Sequence, residues 1–288
     1  MRQALPLRAK LVEEFPKRPI YRRDLGDSYN HLGGVLTECA RLQEAEEAMR
    51  QAVEIRRKLA ADFPTQPDFR NDSAMSRYNL AFIVEQRGQL EEAETGYREA
   101  LEAQRKLVAD CPNVPDFRHH LALTLSNLGR FLRDRGQLAE ARRLLEDAVT
   151  HQQTVLKANP RHPVYRPHLR DHYKELAETL LRTSDHAEAS KVAEELPRIL
   201  PDGWEEYHRA AGYLARCVPL ARKDTQLSEP ERLRLAKLYT ERAMAALREA
   251  VAKGDKDAEG LKKDGAFEPL RSLAEFQKLV RDMAINHK

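Results

Sequence analysis

The sequence predicts an all-α protein built from repeated helical hairpins, and three observations support that fold class. Hydrophobic residues, mostly leucine and alanine, make up 41% of the chain, whereas aromatic residues make up 6% and glycine occurs 12 times in 288 residues. This composition is typical of helical proteins. Segment ends recur at a fixed period, and between them apolar residues fall three and four positions apart, as on one face of a helix.

The ends of the repeated segments share a proline preceded by a large or polar residue. They lie 48 residues apart without an insertion: Phe15-Pro16, Phe63-Pro64, Cys111-Pro112 and Asn159-Pro160. An aromatic-arginine pair opens the next helix at the same spacing: Tyr21-Arg22, Phe69-Arg70, Phe117-Arg118 and Tyr165-Arg166. Two markers in one phase predict a repeat array, which grows in one dimension. We expect the aromatic-arginine pairs to be structural, with the arginine near Glu14, Asp62 or Asp110.

The chain opens within a repeat, because the segment ending at Phe15-Pro16 aligns with the one ending at Phe63-Pro64. Residues 1–16 are therefore predicted to be the second-helix remnant of a preceding repeat, and the chain to be cut from a longer protein. Leu7, Leu11 and Val12 would then lack a covering helix. Exposed apolar surface of this kind predicts self-association through the open N-terminal repeat as one hypothesis.

Four helical hairpins are predicted next, at residues 17–64, 65–112, 113–160 and 161–201. Their first helices carry a small residue that allows the paired helices to approach closely: Gly33, Ala81, Gly129 and Ala177. Glycine at Gly88 and Gly136 is predicted to end the first helix in a left-handed conformation. Helix-forming residues continue to about Asp62 and Asp110, so each second helix should have about 20 residues and a length of about 30 Å.

The register changes beyond Pro201. Residues 202–254 are predicted to form a divergent helical pair, whose first helix runs from Trp204 to about Arg222. Ser228 is suited to cap the second helix, which should stop at Lys253-Gly254. Residues 255–288 are predicted to form a C-terminal cap that covers the last pair with four apolar side chains: Phe267, Leu270, Phe276 and Leu279.

These motifs resemble the tetratricopeptide repeat over residues 5 to about 200. The resemblance rests on Leu-Ala or Leu-Gly on the first helix and on Ala-x-x-x-large-x-x-Ala on the second. The period here exceeds the family's usual value of about 34 residues. Asn79-Leu80-Ala81 and Asn127-Leu128-Gly129, with the long second helices, resemble the kinesin-light-chain-like branch. The resemblance implies a right-handed α-solenoid whose first helices line a concave groove that binds a peptide or protein segment.

The resemblance also implies which residues lie on that groove. The asparagine before Leu-Ala or Leu-Gly is Asn79 or Asn127 here, and a side-chain amide can both donate to and accept from a peptide main chain. The outer copies depart from this motif, with His31 and Glu175. Further groove candidates are Tyr78, Phe82, Glu85, Arg130, Arg133, Asp134 and Lys174.

Two of these candidates, Arg130 and Arg133, lie one turn apart and are suited to hold a carboxylate or phosphate of a ligand. In the alternative interpretation, both arginines form ion pairs with Asp134 or with acidic residues across the gap between helices. Ion pairs of this kind contribute little to stability at a protein surface. The sequence leaves both interpretations open.

A second function hypothesis comes from the C-terminal sequence. The run from Ala243 to Gly254, followed by Pro269-Leu270-Arg271-Ser272, resembles the end of planctomycete-type serine/threonine protein kinases that carry tetratricopeptide repeats. This implies a regulatory or substrate-recruiting region whose catalytic domain lies upstream. The chain itself lacks the glycine-rich loop and the lysine and aspartate motifs of a kinase, so it is not predicted to be an enzyme.

Composition and charge exclude several other classes. A net charge of +3 from 49 basic and 46 acidic residues argues against a nucleic-acid surface. Cys39, Cys111 and Cys217 are too far apart in sequence to suggest a zinc site or disulfide framework. His168 and His172 have metal-binding spacing but lack the zincin glutamate, so no metal or cofactor is predicted. No apolar run approaches about 18 residues, and we expect a cytoplasmic protein without membrane contact.

Overall fold

A computed structural model of the chain describes residues 4–285. All regular structure in this range is helical, which confirms the all-α class. The ends of the predicted segments 1–16 and 255–288, residues 1–3 and 286–288, lie outside the described residues. The helices are α1 (Ala4–Glu14), α2 (Pro19–Glu38), α3 (Leu42–Asp62), α4 (Pro67–Gln86), α5 (Leu90–Asp110), α6 (Pro115–Asp134), α7 (Leu138–Ala158), α8 (Tyr165–Arg182), α9 (His186–Ile199), α10 (Glu205–Lys223), α11 (Glu229–Ala252), α12 (Ala258–Lys263) and α13 (Ala274–Ile285), with a 3-10 helix at Gly265–Leu270.

The chain divides into two compact units, residues 1–128 and 129–288, and the boundary falls within α6. We call them unit 1 and unit 2. None of the helices in residues 4–285 is both long and apolar enough to cross a membrane.

A proline starts the first helix of three hairpins, and a tight turn joins each first helix to the second. Pro19, Pro67 and Pro115 are each the first residue of a helix, where a missing N–H carries no penalty. The second helices α3, α5 and α7 have 21 residues each, which confirms the predicted length of about 20. Each spans roughly 30 Å.

The turn between paired helices contains one left-handed residue in each of the four repeat hairpins, from α2–α3 to α8–α9. Gly88 and Gly136 both have φ of +79°, which confirms the predicted glycine stops. The same position is occupied by Ala40, with φ of +57°, and Ser184, with φ of +59°, each 48 residues from the nearest glycine stop. The turn geometry is therefore kept even where the residue is not glycine, at a cost of about 1–2 kcal/mol for a side chain in this conformation.

Small residues allow the paired helices to pack closely, as predicted. A Cβ atom at Gly33 would lie 2.8 Å from Met49 Cε and 3.3 Å from the carbonyl oxygen of Ala45. At Gly129 it would lie 2.7 Å from Leu145 Cγ. The two carbon–carbon distances are shorter than a normal contact of about 3.5–4.0 Å, so a side chain at either glycine would force its neighbours to shift.

Arginine side chains form hydrogen bonds and ion pairs between helices of unit 1. Arg22 Nη1 donates to Asp62 Oδ2 at 2.5 Å, and Arg70 Nη2 donates to Asp110 Oδ2 at 2.6 Å. This confirms a structural role for two of the aromatic-arginine pairs. Arg56, which is buried, donates to Ser76 Oγ at 2.7 Å from Nη1, and so links α3 to α4.

The C-terminal helices of unit 2 cover its last hairpin as predicted. Phe267 and Leu270 are fully buried, Phe276 is 3% exposed, and Leu279 packs against the same core. Ser228 is the N-cap residue of α11, as predicted, and its backbone N–H donates to Glu231 Oε2 at 2.9 Å, as in a capping box. The left-handed Gly254, with φ of +111°, follows the end of α11.

Candidate functional site

A concave pocket of about 500 Å³ lies between the first helices α2 and α4 of unit 1. Its floor contains Met49 and Ile83, which are both 2% exposed, and Val35, at 46% exposed, also lines it. The remaining lining residues are Asn30, His31, Gly34, Thr37, Glu38, Asn79 and Phe82. The pocket therefore combines an apolar floor with amide, imidazole and carboxylate side chains, a pattern common in ligand sites.

An asparagine pair crosses from one helix to the other beside this pocket. Asn79 Nδ2 donates to Asn30 Oδ1 at 2.9 Å. Each amide has two donor hydrogens and a carbonyl acceptor. Within residues 4–285, Asn79 Oδ1 and Asn30 Nδ2 have no hydrogen-bond partner. The pair thus leaves the side-chain oxygen of Asn79 and the amino group of Asn30 available to whatever fills the pocket.

The same spacing recurs along the first helices of unit 1. Asn127 Nδ2 donates to Tyr78 Oη at 2.9 Å, and His120 Nδ1 lies 2.9 Å from Asn71 Oδ1. Each contact, like that of the Asn30–Asn79 pair, joins residues 49 positions apart, and we call the set the first-helix ladder. Burial lowers the pKa of His120, so its imidazole is neutral near pH 7 and donates to Asn71 through Nδ1.

The predicted groove residues of unit 1 have different surroundings. Asn79 and Phe82 line the pocket. Tyr78 and Asn127 belong to the ladder, and Asn127 also donates to the Leu123 carbonyl at 3.0 Å. Glu85 Oε2 accepts a hydrogen bond of 2.7 Å from Tyr97 Oη on α5, so this carboxylate stabilises the packing of α4 on α5.

The predicted residues of unit 2 are held in ion pairs. Arg133 is 7% exposed, and its Nη1 donates to Glu175 Oε2 at 2.6 Å. Its Nε donates to Asp134 Oδ1 at 3.1 Å. Arg130 Nη1 lies 3.8 Å from Asp134 Oδ2, and Lys174 Nζ donates to Asp171 Oδ1 at 3.3 Å. The structure therefore gives the paired arrangement that was the alternative interpretation of Arg130 and Arg133.

Further ion pairs link the first helices of unit 2. Arg216 on α10 donates to both carboxylate oxygens of Glu178 on α8, at 2.7 and 2.8 Å. The bond to Arg216 outweighs the effect of burial and lowers the pKa of Glu178. Burial raises the pKa of the neighbouring Tyr213 to about 12, so its hydroxyl stays protonated and donates to the Lys174 carbonyl at 3.4 Å.

A second cavity, of about 480 Å³, lies between α10 and the C-terminal helices of unit 2. His208 occupies its wall, and its Nδ1 lies 2.7 Å from Oδ2 of Asp255, which is 2% exposed. The imidazole meets Phe267 edge to face at 5.1 Å. We interpret the His208–Asp255 hydrogen bond as a contact that holds the C-terminal segment against α10, because it gives the buried carboxylate of Asp255 a hydrogen-bond partner.

The sequence motifs missed several residues of the unit 1 pocket, among them Asn30, Gly34 and Thr37. A signal was present for these three, since they stand 48 positions before the groove candidates Tyr78, Phe82 and Glu85. Within the described part of the chain, no group of three His, Cys, Asp or Glu side chains could hold a metal ion.

Comparisons with known proteins agree with the helical repeat fold. A family model for the tetratricopeptide repeat matches residues 25–65, 73–110 and 121–163. A search of curated proteins found no match.

Similar solved structures include a protein of Podosopora anserina described as a kinesin light chain with nearly identical TPR-like repeats. It is 20% identical, with a TM-score of 0.52 over 79% of this chain and 93% of that one. BtubC (BKLC) from P. vanneervenii is 15% identical, with a TM-score of 0.58 over 87% and 89%. PilF of Pseudomonas aeruginosa is 17% identical, with a TM-score of 0.51 over 92% and 91%. At these identities the likeness concerns the fold alone.

Proposed function

We propose that this chain, which is a tetratricopeptide repeat protein, is a scaffold that holds an extended segment of a partner protein against the first helices of unit 1. The observation that carries the proposal is the Asn30–Asn79 pair, which leaves the amino group of Asn30 and the oxygen of Asn79 free beside a pocket with an apolar floor. No catalytic step or cofactor is part of the proposal.

The pair suits a peptide main chain because an extended segment exposes both N–H and C=O groups. Asn30 Nδ2 would donate to a peptide carbonyl, and Asn79 Oδ1 would accept from a peptide N–H. Such hydrogen bonds do not depend on the partner's side chains, so they allow binding of segments that differ in sequence. The helices are already formed, so the scaffold loses little conformational entropy on binding.

A cytoplasmic location belongs to the same proposal. It is supported by the three cysteines, which are all free thiols in the structure. The resemblance of the C-terminal sequence to kinase-associated repeats stays a prediction, and the proposed binding role holds with or without a kinase domain in the same polypeptide.

A second candidate is pairing of two copies of the chain through α1. Leu7 is 67% exposed and Leu11 is 36% exposed, whereas Leu59 and Leu107, at the repeat position of Leu11, are at most 1% exposed. A second copy would cover this face, and sedimentation velocity over a range of concentrations tests it. Leu11→Glu should abolish any concentration-dependent dimer, and a sedimentation coefficient that is constant with concentration would contradict the candidate.

The test of the main proposal begins with selection of random 12-residue peptides on the immobilised protein. Selected peptides are then fluorescein-labelled and titrated in solution by fluorescence anisotropy. Asn79→Ala should weaken binding about ten-fold, because one hydrogen bond is lost and its partner is left unpaired. Gln51→Ala, at an exposed site on α3 outside the pocket, should bind as the original does. Equal affinity for all three proteins would overturn the proposal.

A further inference from the structure

Gly34 lies inside α2, where glycine is less favourable than any residue except proline. Packing does not require it, because a Cβ atom at Gly34 would have no heavy atom within 4 Å. Its neighbour Gly33 differs, since a Cβ there would press on Met49. Of two adjacent glycines, one is needed by the hairpin and the other only leaves space.

The space at Gly34 belongs to the unit 1 pocket. The corresponding position of the next copies carries a large side chain, Phe82, Arg130 or Glu178. Phe82 itself forms part of the pocket wall, and Val35, Met49 and Ile83 add further apolar surface. The missing side chain at Gly34 therefore leaves an apolar recess beside the Asn30–Asn79 pair, and we call this recess the Gly34 socket.

A carboxylate also lines this pocket. Glu38 stands one turn after Gly34, is exposed, and has no hydrogen-bond or ion-pair partner within residues 4–285. It is the last residue of α2, where the helix dipole disfavours a negative charge. The charge of Glu38 makes no stabilising contact within the described residues, so a basic group on a ligand would complement it electrostatically.

We propose that the Gly34 socket takes one apolar side chain, of about leucine to phenylalanine size, from the bound partner segment, and that Glu38 pairs with a lysine or arginine near it. This inference rests on the proposed function above, since the Asn30–Asn79 pair holds the main chain of the same segment. The partner is thus an extended segment with an apolar residue and a basic residue within about two positions, a spacing of about 7 Å along an extended chain.

The test uses the same peptide library and the full chain. Peptides selected on the original protein should be enriched in an apolar residue with Lys or Arg within two positions. Gly34→Phe should fill the socket and weaken the best of these peptides more than ten-fold in anisotropy titrations, as for a central anchor. Gln51→Phe, which adds the same ring outside the pocket, should leave the affinity unchanged.

Two milder variants keep the test informative if Gly34→Phe disturbs the helix. Gly34→Ala should retain the urea midpoint or raise it, and should still weaken binding. Glu38→Gln should weaken the basic peptides about two- to five-fold at low salt, and this difference should shrink at high salt. A peptide whose Lys or Arg is replaced by Gln should not distinguish Glu38→Gln from the original.

The outcomes separate the socket from the proposed function. Peptides that depend on Asn79 but bind Gly34→Phe and Glu38→Gln normally would overturn the socket and leave the scaffold proposal standing. A selection that yields no peptide, or peptides indifferent to Asn79→Ala, would overturn both.

Discussion

The first-helix faces of the two units use the same repeat positions in opposite ways. In unit 1 the face carries Asn79 and Gly34, which leave amide groups and a pocket open. In unit 2 the corresponding positions carry Glu175 and Glu178, and each carboxylate is bound by an arginine. A single repeat framework thus supports one face with unpaired amide groups, which we call the open face, and one whose carboxylates are held in ion pairs, which we call the closed face. Glu178 and Arg216 of the closed face also line the cavity beside α10. Side-chain identity, and not the backbone, distinguishes the two faces.

Removing a charged side chain from the closed face should give the largest loss of stability. Arg133→Ala should lower the free energy of unfolding by about 2 kcal/mol, because it leaves Glu175 and Asp134 without a buried partner. Asn79→Ala on the open face should cost at most about 1 kcal/mol. Urea denaturation of both variants measures the difference, and equal losses would contradict the contrast between the faces.

A smaller effect should separate the adjacent glycines of α2. Gly33→Ala gains helix propensity too, but its Cβ meets Met49 and the Ala45 carbonyl, so the net result should be a loss of stability of about 1 kcal/mol. Gly34→Ala should stabilise it by about 0.5–1 kcal/mol through helix propensity. Thermal and urea unfolding should give opposite signs, and a loss in Gly34→Ala would show that the open face has a structural need for this glycine.

Acid should weaken the closed face through Glu178. Folding lowers its pKa below the ordinary value of 4.5, chiefly through its hydrogen bonds to Arg216. A lowered pKa stabilises the folded state fully above pH 4.5, and this contribution is lost as the pH falls through the folded pKa. The urea midpoint of the original protein should therefore fall more between pH 6 and pH 3 than that of Glu178→Gln. Parallel curves for the two proteins would contradict the prediction.

The smallest effect should be the same in both units, because the hairpin turns are alike. Ala40→Gly in unit 1 and Ser184→Gly in unit 2 should each stabilise the protein by about 0.5–1 kcal/mol, since both residues have positive φ. Gly88→Ala and Gly136→Ala are the matched reversals and should destabilise by similar amounts. Unequal gains at Ala40 and Ser184 in thermal unfolding would mean that the two units differ in backbone as well as in side chains.

Much of the fold could be predicted from the sequence because the repeat markers are local. The phase of the proline pairs located the hairpins, and Gly88 and Gly136 located two turns. The left-handed residues Ala40 and Ser184 were not predicted, because neither is a residue type that favours positive φ. Only their spacing of 48 residues from Gly88 and Gly136 reveals them. Position within the repeat therefore predicts these turns better than the conformational preference of the residue type.

The site was less predictable, because its chemistry depends on contacts between repeats. Asn79 and Phe82 were expected on the groove, and both line the pocket. The burial of Arg133 was not predicted, since it depends on Glu175, which is 42 residues away. Gly34 was overlooked for a different reason, because it stands at the repeat position of Phe82 but has no side chain for a motif to match.

The first-helix ladder has a consequence for how such a gene changes length. In-phase recombination that removes residues 65–112 would join two repeats that are not neighbours in the present chain. Asn127 would then stand where Asn79 stands, opposite Asn30, and the same amide bond could re-form from residues already encoded. His120 would meet Arg23 in place of Asn71, so that contact alone would need a compensating change. The number of copies can therefore drift over generations while the asparagine contact persists.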